Sequence, residues 1–130
     1  MSYPKVELKR GLAGLMWKIF KILNDNDEFK EEFADIKLTM LMNPKDQRVA
    51  AIIKINRGAI NIEDIENDKE TIKEVKIDAL FEASTETFVD MFTTGLSILG
   101  ILWKLITRKV KIRGMRKMMA LKKIVEILGI

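Results

Sequence analysis

The stretch Ile77-Asp78-Ala79-Leu80-Phe81-Glu82-Ala83-Ser84-Thr85-Glu86-Thr87-Phe88-Val89-Asp90-Met91-Phe92-Thr93-Thr94-Gly95 changes its period halfway along. Ile77, Ala79, Phe81 and Ala83 recur every second residue, the repeat of a strand with one face buried. Ser84-Thr85 then offers a helix N-cap, with Glu86 in the first turn, where the helix dipole favours a carboxylate. Phe88, Met91 and Phe92 recur at helical spacing, and Thr93-Thr94-Gly95 closes the helix, which is expected over 85–94.

Downstream, Leu96-Ser97-Ile98-Leu99-Gly100-Ile101-Leu102-Trp103-Lys104-Leu105-Ile106-Thr107 keeps its small or polar residues at 97, 100, 104 and 107. A helix apolar over most of its circumference is buried on several sides or lines something apolar. A bilayer span needs about 20 residues, so this stretch is too short to cross one. Lys109-Val110-Lys111-Ile112-Arg113 alternates as a half-exposed strand, and Gly114 ends it. A helix over 115–128 follows, with Met115, Met118, Met119, Leu121, Ile124, Val125 and Leu128 apolar.

Upstream, Leu8, Leu12, Leu15, Ile19 and Leu23 suggest the core stripe of a helix over 5–23, broken by Asn24-Asp25-Asn26. Asp27 is expected to cap a short helix over 28–34 that carries Phe29 and Phe33. Strands are expected at 36–42, 48–56 and 59–65, joined at Asn43-Pro44-Lys45-Asp46 and Asn56-Arg57-Gly58 into an antiparallel meander. Residues 63–74 are acidic and read as an exposed loop. An EF-hand loop counted from Asp64 would need Gly at position 69, where Lys stands, and Glu at 75, where Val stands, so calcium is not indicated. Without repeats or linkers, residues 1–130 read as one α+β domain.

Composition removes several functions. The 130 residues include no Cys and no His. Thiolate nucleophiles, Cys-ligated zinc and imidazole general bases are therefore ruled out. Phosphate-loop and dinucleotide fingerprints are missing too. The reading is a non-enzyme with no catalytic residues, no cofactor and no metal. No signal-peptide pattern is legible at the N-terminus, so a cytoplasmic location is expected.

Net charge is +4 but unevenly placed. Residues 1–23 hold five Lys/Arg and one acid, residues 24–90 nine and seventeen, and residues 91–130 nine and one. The plainest reading of the C-terminal basic cluster, Lys104 to Lys117, is a solvated face. Transient contact with an anionic membrane ranks second and nucleic acid third, because Trp103, the one aromatic nearby, sits inside the apolar stretch. A protein-interaction module or homodimer that buries 96–107 is a further alternative.

Eight Met are present, three of them at 115–119. A single Met is ordinarily core filling. A Met-rich helix beside a greasy one suits an internal apolar cavity, since methionine adapts to variable shapes.

The run from Asp78 to Gly95 resembles the strand-then-helix signature of the sterol carrier protein type 2 lipid-transfer domain. Val110-Lys111-Ile112-Arg113-Gly114 with its apolar helix is similar to that family's last strand, glycine and C-terminal helix. Arg57-Gly58-Ala59-Ile60 is similar to its Gly-led third strand, and Asn24 to Phe33 to the stretch between its first helix and first strand. The chain departs from the family after Gly95, where Leu96 replaces a Lys-Leu-x-Pro connection, and at Met115, where Asp is frequent. The resemblance implies a five-stranded, mainly antiparallel twisted sheet covered by about five helices. It also implies a hydrophobic tunnel between sheet and helices, and binding or transfer of a fatty acid, acyl-CoA or isoprenoid lipid. Phe81, Phe88, Met91, Phe92, Leu99, Leu102, Trp103, Ile106, Met115, Met118 and Met119 are the expected ligand-binding residues.

Overall fold

Apolar residues alternate through three hairpin-linked strands, and this alternation builds the sheet. The computed structural model describes residues 11–88 and 110–129. Helix α1 (Gly11–Phe20) passes through a 3-10 turn (Lys21–Asp25) into α2 (Asp27–Glu32). Strands β1 (Lys37–Pro44), β2 (Val49–Asn56) and β3 (Ala59–Glu66) follow, then the short α3 (Lys69–Lys73) and β4 (Ala79–Ala83). A helix opens at 85–88. Strand β5 (Val110–Arg113) and helix α4 (Met115–Leu128) complete the described elements.

The strands form one open, mixed sheet in the order β3-β2-β1-β4-β5. β1–β2, β2–β3 and β4–β5 pair antiparallel, and β1–β4 pairs parallel. The expected meander is present. So is a mainly antiparallel sheet, with the one parallel pair created by the crossover through α3.

Register places the apolar residues in rows across the inner face. Ile60, Ile55 and Leu38 make one row, Ile62, Ile53, Met40 and Ala79 the next, and Ala51, Met42, Phe81 and Ile112 a third. Most are fully buried, and Ala13, Met16, Phe20, Leu23, Phe29, Phe33, Leu121 and Ile124 from the helices close over them. The outer face carries a smaller cluster, Leu41, Ala50, Ile52, Ile65 and Leu80, covered by Ile72, Val75 and Ile77.

The hairpin between β2 and β3 needs two positive φ angles, supplied by Arg57 at +47° and Gly58 at +81°. This is the twist-matched two-residue turn. A Cβ on Gly58 would meet the Lys30 carbonyl oxygen at 2.9 Å, so α2 can pack here only against glycine.

Four sequence expectations are corrected. The stripe on α1 is not Leu12–Leu15–Ile19: Ala13, Met16 and Phe20 are buried, and Leu15 is 38% exposed. Apolar residues surround this helix, so periodicity alone does not select a face, and packing onto β2 and β3 does. Residues 5–10 of the expected helix lie outside the described residues. The cap of α2 is Asn26, whose side chain accepts from the Phe29 amide at 2.8 Å, and Asp27 is the first helical residue. Strand β1 runs on to Pro44, so the turn that follows is shorter than expected. Residues 63–74 are not a loop. β3 continues to Glu66, and Asp68 caps α3 by accepting from the Thr71 amide and hydroxyl, both at 2.8 Å. Those two bonds hold the Asp68 carboxyl below its ordinary pKa.

Candidate functional site

Ala79, Phe81 and Ala83 face inward from β4 and are buried. An aromatic ring flanked by two methyl-sized side chains makes an uneven floor that larger groups from above must fill. Phe88, from the helical turn that follows, does so in part: its ring lies 5.3 Å from that of Phe81 in an edge-to-face arrangement, a geometry favoured by the ring quadrupoles. Leu121 and Ile124 of α4 join the same cluster, with Ile112 half-buried beside them.

Polar contacts fix this apolar region in place. Ser84 caps the helical turn, its hydroxyl accepting from the Thr87 amide at 3.2 Å, as the sequence suggested. Asp46, in the β1–β2 connection, accepts from both the amide and the hydroxyl of Thr85 at 2.8 Å. The Thr85 hydroxyl and amide hold the Asp46 carboxyl below its ordinary range. Lys45 N–H donates to Ala83 O at 2.9 Å. The start of the helix is thus tied to a distant turn as well as to its own strand. At the other end, Lys117 reaches Asp78 at 3.3 Å and Lys123 reaches Glu32 at 3.8 Å, seating α4 beside β4 and α2. Gly114 makes the turn from β5 into α4 at φ +73°. A Cβ there would lie 2.5 Å from the Asp78 carbonyl oxygen.

Of the expected ligand-binding residues, the structure brings Phe81 and Phe88 together in the buried layer. Met115 and Met118 belong to α4. Met119 is 41% exposed. Met91, Phe92, Leu99, Leu102, Trp103 and Ile106 lie outside the described residues. Leu121 and Ile124, expected as apolar helix positions but not among the ligand-binding residues, do reach the inner layer. Their 3-residue spacing on a helix is a usable signal for a shared buried face. Among the described residues no helix is long and apolar enough to cross a membrane, and no group of three or more acidic residues is placed to hold a metal.

No protein-family model matches the sequence, and no curated protein matches it. Solved structures do. A UbiJ-SCP2 ubiquinone synthesis protein superposes with a TM-score of 0.60 at 8% identity, covering 98% of this chain and 93% of its own. Sterol carrier protein 2 from Yarrowia lipolytica, in its apo form, gives 0.58 at 12% identity, covering 96% and 98%. This chain has the sterol-carrier fold. The same fold also matches part of a larger enzyme: 85% of this chain superposes on 15% of an inverting sec-alkylsulfatase from Pseudomonas sp., with a TM-score of 0.54 at 14% identity. In sterol-carrier terms, β4 with the helical turn 85–88 and β5-Gly114-α4 are two of the four pieces whose sequences signalled the resemblance, and these two are neighbours in the sheet.

Proposed function

We propose that this chain is a non-catalytic lipid binder that takes a fatty acid, acyl-CoA or isoprenoid chain between the inner sheet face and the helices. The observation that carries this reading is the likeness to two sterol-carrier structures over nearly the full length of both partners. The ubiquinone synthesis neighbour keeps isoprenoid lipids among the candidates. The Ala79–Phe81–Ala83 floor under Phe88 supports it, as does the apolar stretch 96–107 with Met115 and Met118.

Uptake needs no covalent step. Burial of apolar surface stabilises by about 25 cal/mol per Å², or about 0.8 kcal/mol for each methylene removed from water. In this reading Phe81 supplies the sheet side of the site and Phe88 the start of its helical side. Met91, Phe92, Leu99, Leu102, Trp103, Ile106, Met115, Met118 and Met119 supply an adaptable remainder. The segment 96–107 or α4 moves to admit the chain.

Native mass spectrometry of the purified protein, followed by organic extraction, tests this. The expected result is a co-purifying acyl or isoprenoid lipid that disappears in the Leu99→Trp, Met118→Trp double variant. A clean apo mass together with no uptake of a fluorescent fatty acid overturns the proposal.

A further inference from the structure

A concavity lies on the outer face of the sheet, on the side away from the Phe81–Phe88 layer. Its volume is about 480 Å³, and its polar walls are Lys37, Thr39, Lys54, Asn56, Lys76 and Asp78. Lys37 pairs across the strands with Asn56, and Thr39 with Lys54, so two lysines stand on one face as diagonal neighbours. Like charges so placed repel. Residues 24–90 hold seventeen acids against nine Lys/Arg, yet three of those lysines converge here.

The nearby carboxylates are engaged. Glu63 holds Lys54 at 2.8 Å. Asp78 accepts from the Thr39 amide at 2.9 Å and from Lys117 at 3.3 Å. Among the described residues neither Lys37 nor Lys76 forms an ion pair, although Lys76 adds its field to that of Lys117 on the Asp78 carboxylate. The cleft's own walls hold three ammonium groups, Lys37, Lys54 and Lys76, against the single carboxylate of Asp78; from its margins Glu63 pairs with Lys54 and Lys117 with Asp78, which leaves the surplus at two positive charges. A phosphate monoester or diphosphate carries about that much negative charge and several strong acceptor oxygens. The Thr39 hydroxyl and the Asn56 amide add neutral donors.

We propose that this outer-face cleft is a binding site for a phosphate group, with Lys37 and Lys76, neither held in an ion pair among the described residues, as its main cations. The size is that of a small-molecule pocket. Recognition on this face is physically separate from the apolar binding proposed for the other.

Inorganic pyrophosphate titrated into the full chain, followed by amide NMR, is the first test. A second arm measures sedimentation with phosphatidylcholine vesicles containing phosphatidic acid. The comparison variant is Lys37→Gln with Lys76→Gln, both exposed positions where the fold is retained, checked by the amide spectrum. Saturable shifts at Thr39, Ile55, Asn56 and Lys76, weakened about tenfold or more in the variant, are expected. Pyrophosphate binding assigns the site to a soluble phosphate. Vesicle binding alone, lost in the variant, assigns it to a lipid headgroup. Shifts reproduced by sodium chloride at equal ionic strength, equal behaviour of the variant, or no binding in either arm overturns the proposal.

Discussion

Asp78 and Thr39 hold each other by two hydrogen bonds. Asp78 N–H donates to Thr39 O at 2.8 Å, and Thr39 N–H donates to the Asp78 carboxylate at 2.9 Å. The pair sits just before the parallel register of β1 and β4 begins at Met40 and Ala79. One side chain thus starts the only parallel pairing among the described strands, and its other oxygen holds Lys117 of α4. Asp78→Ala leaves the Thr39 amide without that acceptor and removes the ion-pair partner of Lys117 on α4. The expected cost is about 1–3 kcal/mol in urea unfolding, with hydrogen exchange at Thr39 accelerated before exchange in β2.

Acid sensitivity follows from the same group. The Thr39 amide, aided by Lys117, lowers the Asp78 carboxyl from its ordinary range, and the Thr85 hydroxyl and amide do the same for Asp46. A carboxyl whose folded pKa lies below its unfolded value adds stability that is fully present above the unfolded value. That stability is lost as pH falls through the folded one. The urea midpoint is expected to hold steady from neutrality down to about pH 5 and to decline below about pH 4. Asp78→Asn removes part of that decline. An identical acid profile in the variant counts against the assignment.

The Asn24 side chain acts as a one-residue strand partner for β3. Its amide donates to Ile60 O at 2.9 Å, and its carbonyl accepts from Ile60 N at 2.8 Å. β3 is the sheet edge, where unpaired backbone groups invite association. Asn24→Asp keeps the acceptor but removes the donor. Asn24→Ala removes both, at an expected cost of about 1–2 kcal/mol. Faster exchange of the Ile60 amide in Asn24→Ala, with Asn24→Asp intermediate, is the readout.

Gly114 has no tolerable replacement. Alanine there combines φ +73° with a Cβ 2.5 Å from backbone oxygen. Gly114→Ala is expected to destabilise by more than about 1 kcal/mol. Gly11→Ala is the control: it has a similar φ of +57° but nothing within 4 Å of the added Cβ. The two melting temperatures separate local strain, present in both, from backbone collision, present only at position 114.

The elements were legible where a side-chain period and a local terminator agreed. β2 from Val49 to Asn56, β5 with its Gly114 stop, α4 and the Ser84 cap all follow from neighbours in sequence. Legibility failed where two local signals competed. Asp27 and Asn26 both offer caps, and the geometry chose the residue whose oxygen reaches Phe29 N. The acidic run 63–74 hid a strand end and a capped turn, because charge density says nothing about backbone pairing. In the buried layer, Phe81 and Phe88 were readable from their periods; Leu121 and Ile124 were legible as apolar helix positions, but that they meet the inner sheet face was decided by how α4 packs.

The sequence by itself determined the α+β class, the hairpin at Arg57-Gly58 and the exclusion of thiol and imidazole chemistry, since each depends on residue identity or on contacts a few positions apart. Tertiary structure alone decided which side of α1 is buried, that β4 lies parallel to β1, and that Lys37, Lys54 and Lys76 share one cleft. Those outcomes depend on contacts between residues tens of positions apart, and no local period encodes which distant surface a strand or helix will meet.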